Sequence, residues 1–272
     1  MMLVHTQKLW LFVLHNLWTS LSYRLALVLG IASGVIGLLQ FALLGLFLQE
    51  GNTFPAIAQY GGNILAFLIT GSVFTAFVGM ALSTFGAFVR LEMKMGTLEH
   101  LLISRTPLVH LMLYEGLMNF LATVVSAIVT LTILVLLFGV PLQVNLLGVT
   151  ASLLLLTFAL LGMGLASAGI LLVSKQGDPI TWVFTTLTGL LSGVLYPVSI
   201  LPAWLQTISW TLPTTQALHA LRLSLTGAAS PHDLAAPLGA LLLWGAISLP
   251  LGALVLRWGL NQARRQGSLG EF

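Results

Sequence analysis

The sequence holds no cysteine, and only 6% of its 272 residues are charged. The first absence excludes a disulfide framework and thiolate metal sites. The second excludes an ordinary soluble domain, because 58% of the residues are hydrophobic and too little polar surface remains to cover a core. Catalytic signatures are missing as well. None of Lys8, Lys94 and Lys175 sits in the Gly-rich spacing of a phosphate-binding loop, so this chain is not expected to bind and hydrolyse ATP by that route. The histidines at positions 5, 15, 100, 110, 219 and 232 form no metal-binding pair on one helix, and His-Glu-x-x-His does not occur. No intramembrane Ser and His present themselves as a protease dyad. We therefore expect no catalytic, cofactor-binding or metal-binding residue, and no nucleic-acid partner.

What is there is apolar sequence in long runs. The ten basic and seven acidic residues are clustered, and the gaps between clusters exceed the roughly 20 residues that cross a hydrocarbon core of about 30 Å. In lipid every backbone N–H and C=O must bond internally, and long runs without alternation select helices over a barrel. The expected fold is an all-α membrane protein with six transmembrane helices, at about 25–48, 64–89, 116–138, 146–173, 180–200 and 234–256. Residues 1–24 form an N-terminal amphipathic interfacial helix, and residues 25–272 the six-span domain. Between Leu9 and Tyr23, the polar Lys8, His15, Thr19 and Ser22 share one helical face, and Trp10, Leu14, Leu17 and Leu21 another. Lys8, His15 and Arg24, with no small-residue cleavage site, speak against a cleaved signal. Pro250 is expected to kink the last span.

Six spans place both termini on one side. If that side is the cytoplasm, Lys8, Arg24, Arg90, Lys94, Arg105, Lys175, Arg257, Arg264 and Arg265 all lie inside and only Arg222 lies outside, as the positive-inside rule requires. A multi-pass protein of the inner cell membrane is the expectation. Trp10, Trp18, Trp182, Trp204 and Trp258 fall near span ends, where an aromatic belt belongs. Asp, Glu, His and Arg are missing from span centres, which argues against an ion-coupled carrier or pump. No charged ring or carbonyl-filter sequence supports a channel.

The densest charge lies in residues 90–107, Arg-Leu-Glu-Met-Lys-Met-Gly-Thr-Leu-Glu-His-Leu-Leu-Ile-Ser-Arg-Thr-Pro. Here the sequence resembles the membrane subunits of ATP-binding-cassette transporters of the type-2 exporter class. Their Glu-x-x-x-Gly-Thr-x-Glu motif between the second and third spans forms a cytoplasmic coupling helix, and Glu92, Gly96, Thr97 and Glu99 match it. A second match follows the fifth span. Ser192-Gly193 with Pro197, Leu201-Pro202 with Trp204, and Pro213 with Ala217 and Arg222 are similar to the family's small-Gly-x-x-x-Pro, Leu-Pro-x-Trp and Pro-x-x-x-Ala-x-x-x-x-Arg pattern. Glu115 departs from the family, in which many members carry a basic residue there.

The resemblance implies a permease subunit of an ATP-driven exporter, working as a dimer with a second permease, the same chain or a related one. It also implies two copies of a separate nucleotide-binding ATPase, which would hold ATP and Mg. Glu92, Lys94, Gly96, Thr97, Glu99 and His100 would then couple to that ATPase; the plain alternative is charge that solvates a loop. Re-entrant outer helices before the last span would place Tyr196, Pro197, Trp204 and Trp210 at a pathway or outer gate, or else in an interfacial loop. Low intramembrane charge suits a drug, a lipid, or a lipid-linked glycan or polysaccharide as substrate. A channel or membrane scaffold unlinked to an ATPase is the alternative function. Gly30-x-x-x-Gly34 and Gly189-x-x-x-Gly193 permit close helix approach, within the chain or at a subunit interface.

Overall fold

A computed structural model describes residues 24–49, 55–103, 107–140, 143–175, 177–225 and 230–265. The expected interfacial helix, the loop at 50–54, Arg105 and the tail after Arg265 lie outside the described residues. The helices in chain order are α1 (Arg24–Gln49), α2 (Ile64–Met95), α3 (Leu98–Leu102), α4 (Leu108–Phe138), α5 (Leu146–Ser174), α6 (Pro179–Leu191), α7 (Ala203–Thr211), α8 (Pro213–Leu225) and α9 (Pro231–Arg265). Two short 3-10 helices, Pro55–Tyr60 and Val198–Ile200, join them.

Local chemistry sets these boundaries. The Asn63 side chain accepts from the backbone N–H groups of Leu65 and Ala66 at 2.9 and 3.1 Å and so starts α2. Asn145 starts α5 through the Gly148 N–H, and Asp178 starts α6 through the Thr181 N–H, with Pro179 following. Within the apolar helices, the hydroxyls of Thr70, Thr75, Thr84 and Thr123 donate to carbonyls one turn back, which satisfies them without a partner helix.

Four helices are long and apolar enough to cross a membrane: Ile64–Lys94, Leu108–Phe138, Leu146–Ser174 and His232–Arg265. Three expected boundaries move outward. The second span runs on to Met95 and takes in Arg90, Glu92 and Lys94; the third starts at Leu108, so Glu115 lies inside a helix; the last extends to Arg265. The expected fifth span at 180–200 is not one helix. α6 stops at Leu191 after 13 residues, about 20 Å at 1.5 Å per residue. Gly193 turns the chain at φ +80°, and Pro197 cannot supply a helical N–H.

The tightest packing joins α5 to α9. A Cβ on Gly252 would stand 1.9 Å from the Gly162 carbonyl oxygen, and one on Gly259 would stand 2.1 Å from that of Gly169. Both pairs repeat at seven residues, so the two backbones touch along a glycine seam. Three of the four glycines named from sequence make no such backbone contact with another helix within the chain. Gly34 and Gly189 have open space where a Cβ would be, and Gly193 lies beyond the end of its helix. Phe74, Phe77 and Leu82 of α2 pack with Leu156 and Leu160 of α5, Leu218 and Leu221 of α8, and Leu241 of α9. By contrast α4 exposes Leu121, Val125 and Ile128, the surface expected of a helix that faces lipid.

Candidate functional site at a helical elbow and a helical hairpin

Two sites stand at opposite ends of α2. At its C-terminal end the helix closes in a Schellman motif: the Thr97 N–H donates to the Glu92 carbonyl and the Gly96 N–H to the Met93 carbonyl, both at 3.0 Å. The motif needs Gly96 in the left-handed region, and its φ is +69°. The Thr97 hydroxyl turns back to the Glu92 carboxylate. Glu92, Gly96 and Thr97, three of the motif residues read from sequence, thus build one elbow.

After the elbow comes α3, only five residues long. So short a helix does not hold itself together, because nucleation is unfavourable. Leu98 holds it: at 1% exposure it is buried among Met93 of α2, Leu108 and Met112 of α4, Leu171 and Leu172 of α5, and Leu256 and Ala263 of α9. Burial of one leucine is worth about 2 kcal/mol. The opposite side of this segment is open, with Met95, Glu99, His100 and Ile103 all exposed. Charged and large apolar side chains in one short surface suit a protein partner. Lys94 is exposed as well. Two residues from Glu92, it falls on the other side of α2, in a groove with Ser83, Ala87, Arg90, Leu91, Asp178 and Thr181.

At the other end of α2, the loop after α6 and the α7–α8 hairpin fold onto the helix. The Ser192 and Thr214 hydroxyls bond at 2.7 Å, and the Ser209 hydroxyl donates to the Leu191 carbonyl. The Trp244 indole of α9 donates to the Thr211 carbonyl at 3.0 Å. The four expected gate residues take different roles here. Tyr196 donates its hydroxyl to the Leu190 carbonyl, closing the end of α6, and Pro197 begins the 3-10 turn. Trp204 is 66% exposed, whereas Trp210 packs edge-on against the His219 ring at 5.3 Å.

Sequence reasoning missed the residue that ties this hairpin down. Arg222, read from sequence as the one basic residue outside and as the end of the Pro-x-x-x-Ala-x-x-x-x-Arg pattern, is 3% exposed. Its Nη1 donates to the Gly193 carbonyl at 2.8 Å, and its Nη2 to the Phe67 and Val194 carbonyls at 3.0 and 3.1 Å. Its guanidinium lies over the Phe67 ring and 5.5 Å from the Tyr60 ring centroid. Tyr60 in turn bonds His219 at 2.8 Å. Gly71 makes room for the contact, since a Cβ there would meet the Val194 carbonyl oxygen at 2.6 Å. A lone arginine in an apolar helix was the available signal. Among the described residues no group of His, Asp and Glu is placed to hold a metal ion.

Residues 9–226 match the ABC-2 type transporter family. No curated protein matches the chain.

Proposed function

From the premise that this chain belongs to the ABC-2 type transporter family, a family of membrane transport components, we propose that it is the permease of an ATP-driven exporter and couples to a separate ATPase subunit through the elbow. The observation that carries this reading is the double role of α3. Its Leu98 is buried in one apolar cluster with residues from the ends of α2, α4, α5 and α9, while Glu99 and His100 are exposed to a partner. Movement imposed on the exposed side therefore reaches four helices at once.

In this reading two permease chains, alike or related, pair with two ATPase copies that bind ATP and Mg. The four long helices, α1, and α6 with the re-entrant hairpin make six crossings in the inner cell membrane. Both termini are cytoplasmic, with Arg90, Lys94, Lys175, Arg257, Arg264 and Arg265 inside. ATPase closure shifts α3, and the bundle opens its outer side at the hairpin that carries Tyr196, Pro197, Trp204 and Trp210. The exported substrate is amphipathic: a drug, a lipid, or a lipid-linked glycan or polysaccharide.

The test is purification from native membranes in mild detergent, followed by identification of stoichiometric partners and an ATPase assay. An equimolar nucleotide-binding subunit, lost from the Glu92→Lys/Glu99→Lys variant while the permease still inserts, is the expected result. A lone, ATPase-free oligomer overturns the reading in favour of a channel or scaffold.

A further inference from the structure

We propose that the groove between α2 and the first turn of α6 binds the phosphate of an anionic membrane-lipid headgroup, with Arg90 and Lys94 as its cationic ligands. The groove encloses about 390 Å³ and is lined by Ser83, Ala87, Arg90, Leu91 and Lys94 of α2, with Asp178 and Thr181 at the start of α6. The α2 residues recur at helical spacing, so they form one continuous stripe along the helix. Arg90 and Lys94 stand one turn apart on it, and neither has a hydrogen-bond or ion-pair partner among the described residues.

The one carboxylate in the groove does not neutralise them. Asp178 is engaged by the Thr181 N–H at 3.0 Å, and its other oxygen is turned toward Gly86, 3.2 Å from where a Cβ on that glycine would stand. Two cations against one engaged carboxylate leave the groove electropositive. The hydroxyls of Ser83 and Thr181 already donate to the Gly79 and Leu82 carbonyls, at 2.7 and 3.3 Å, so the two cations are the groove's ligands for a phosphate.

Depth and surroundings specify a lipid. The apolar span of α2 ends at Lys94, so both cations sit in its last two turns, at headgroup level. Trp182, next to Thr181, is 68% exposed at the same level, as an interfacial anchor would be. Leu91, between the cations, is 50% exposed, and below them the groove continues past Ala87, a surface on which an acyl chain can lie. The site requires no ATPase partner, so it stands or falls separately from the coupling role of the elbow.

The test uses the full chain, exchanged in vesicles of mixed phosphatidylglycerol and phosphatidylcholine. Lipid retained after gentle solubilisation is counted by mass spectrometry. Wild type should retain phosphatidylglycerol over phosphatidylcholine, and Arg90→Gln/Lys94→Gln should reduce that enrichment about thirtyfold, as expected when two basic groups leave a membrane surface site. Arg90→Lys/Lys94→Arg should restore it, which separates lost charge from misfolding. Unchanged enrichment in the glutamine variant overturns the proposal. So does an equal loss in Arg264→Gln/Arg265→Gln, which would mean diffuse attraction. Displacement of the retained lipid by equimolar inorganic phosphate would assign the groove to a free phosphate ion; lipid that stays bound keeps it with the headgroup.

Discussion

The guanidinium carbon of Arg222 lies 3.4 Å from the ring centroid of Phe67, whose own carbonyl accepts a hydrogen bond from the same side chain. The two residues are 155 positions apart, so this one contact fastens the α7–α8 hairpin to the start of α2. No carboxylate among the described residues shares the arrangement. Three carbonyls and two rings do the work of a counter-ion, and the Nε is buried without a partner.

Arg222→Leu should therefore destabilise the protein by about 3 kcal/mol, because several buried carbonyls lose a charged donor at once. Arg222→Lys should rescue only part of this, since an ammonium cannot span the Gly193 and Phe67 carbonyls with a rigid planar fork. Thermal unfolding in detergent measures the loss, and hydrogen exchange over 193–222 should show the hairpin opening first. Unaltered exchange there would refute the clamp.

Gly96→Ala should cost about 1 kcal/mol, the strain of a left-handed residue with a Cβ, because there is open space around the position. Gly96→Asn should cost less. In the coupled transporter, ATP turnover should become less dependent on substrate in Gly96→Ala than in wild type. A fully coupled alanine variant would show that the elbow need not keep its angle.

Gly252→Leu should prevent stable packing of α9 on α5, since no rearrangement of side chains relieves a clash with the Gly162 backbone. Even Gly252→Ala should cost roughly 2 kcal/mol by overpacking. The same substitution at Gly34, which faces open space, should leave the melting temperature of the isolated chain unchanged. Equal effects at the two sites would rule out the glycine seam.

Trp204→Ala and Trp210→Ala should separate. Trp204 is largely exposed, so its loss should lower transport at the proposed gate while thermal stability stays the same. Trp210 supports His219, and its removal should lower both by weakening an edge-on ring contact worth about 1 kcal/mol. Normal transport in Trp204→Ala would remove that side chain from the pathway.

Much of the architecture was readable along the chain because its determinants are local. Asn63, Asn145 and Asp178 cap the helices that follow them, Gly96 and Gly139 end the helices before them in the left-handed region, and apolar runs mark the four long helices. The elbow was legible for the same reason: Glu92, Gly96 and Thr97 bond within one turn. That Lys94 lines a groove with Asp178 and Thr181 was not legible, because those residues meet it from more than 80 positions away. The fifth span was drawn too long because Leu195, Val198 and Ile200 are as apolar as the helix before them, and hydropathy does not register the turn at Gly193.

By itself, then, the sequence determined that this is a helical membrane protein, where most of its helices start and stop, and which family it belongs to. The first two follow from hydropathy and capping, which act over a few residues, and the family from motifs that resemble those of its members. Only the tertiary structure decided that Arg222 is an internal clamp, that Gly162 and Gly252 rather than Gly189 bring two backbones together, and that Arg90 and Lys94 share a groove with α6. Each depends on which groups from distant positions meet, and packing in three dimensions sets that pairing.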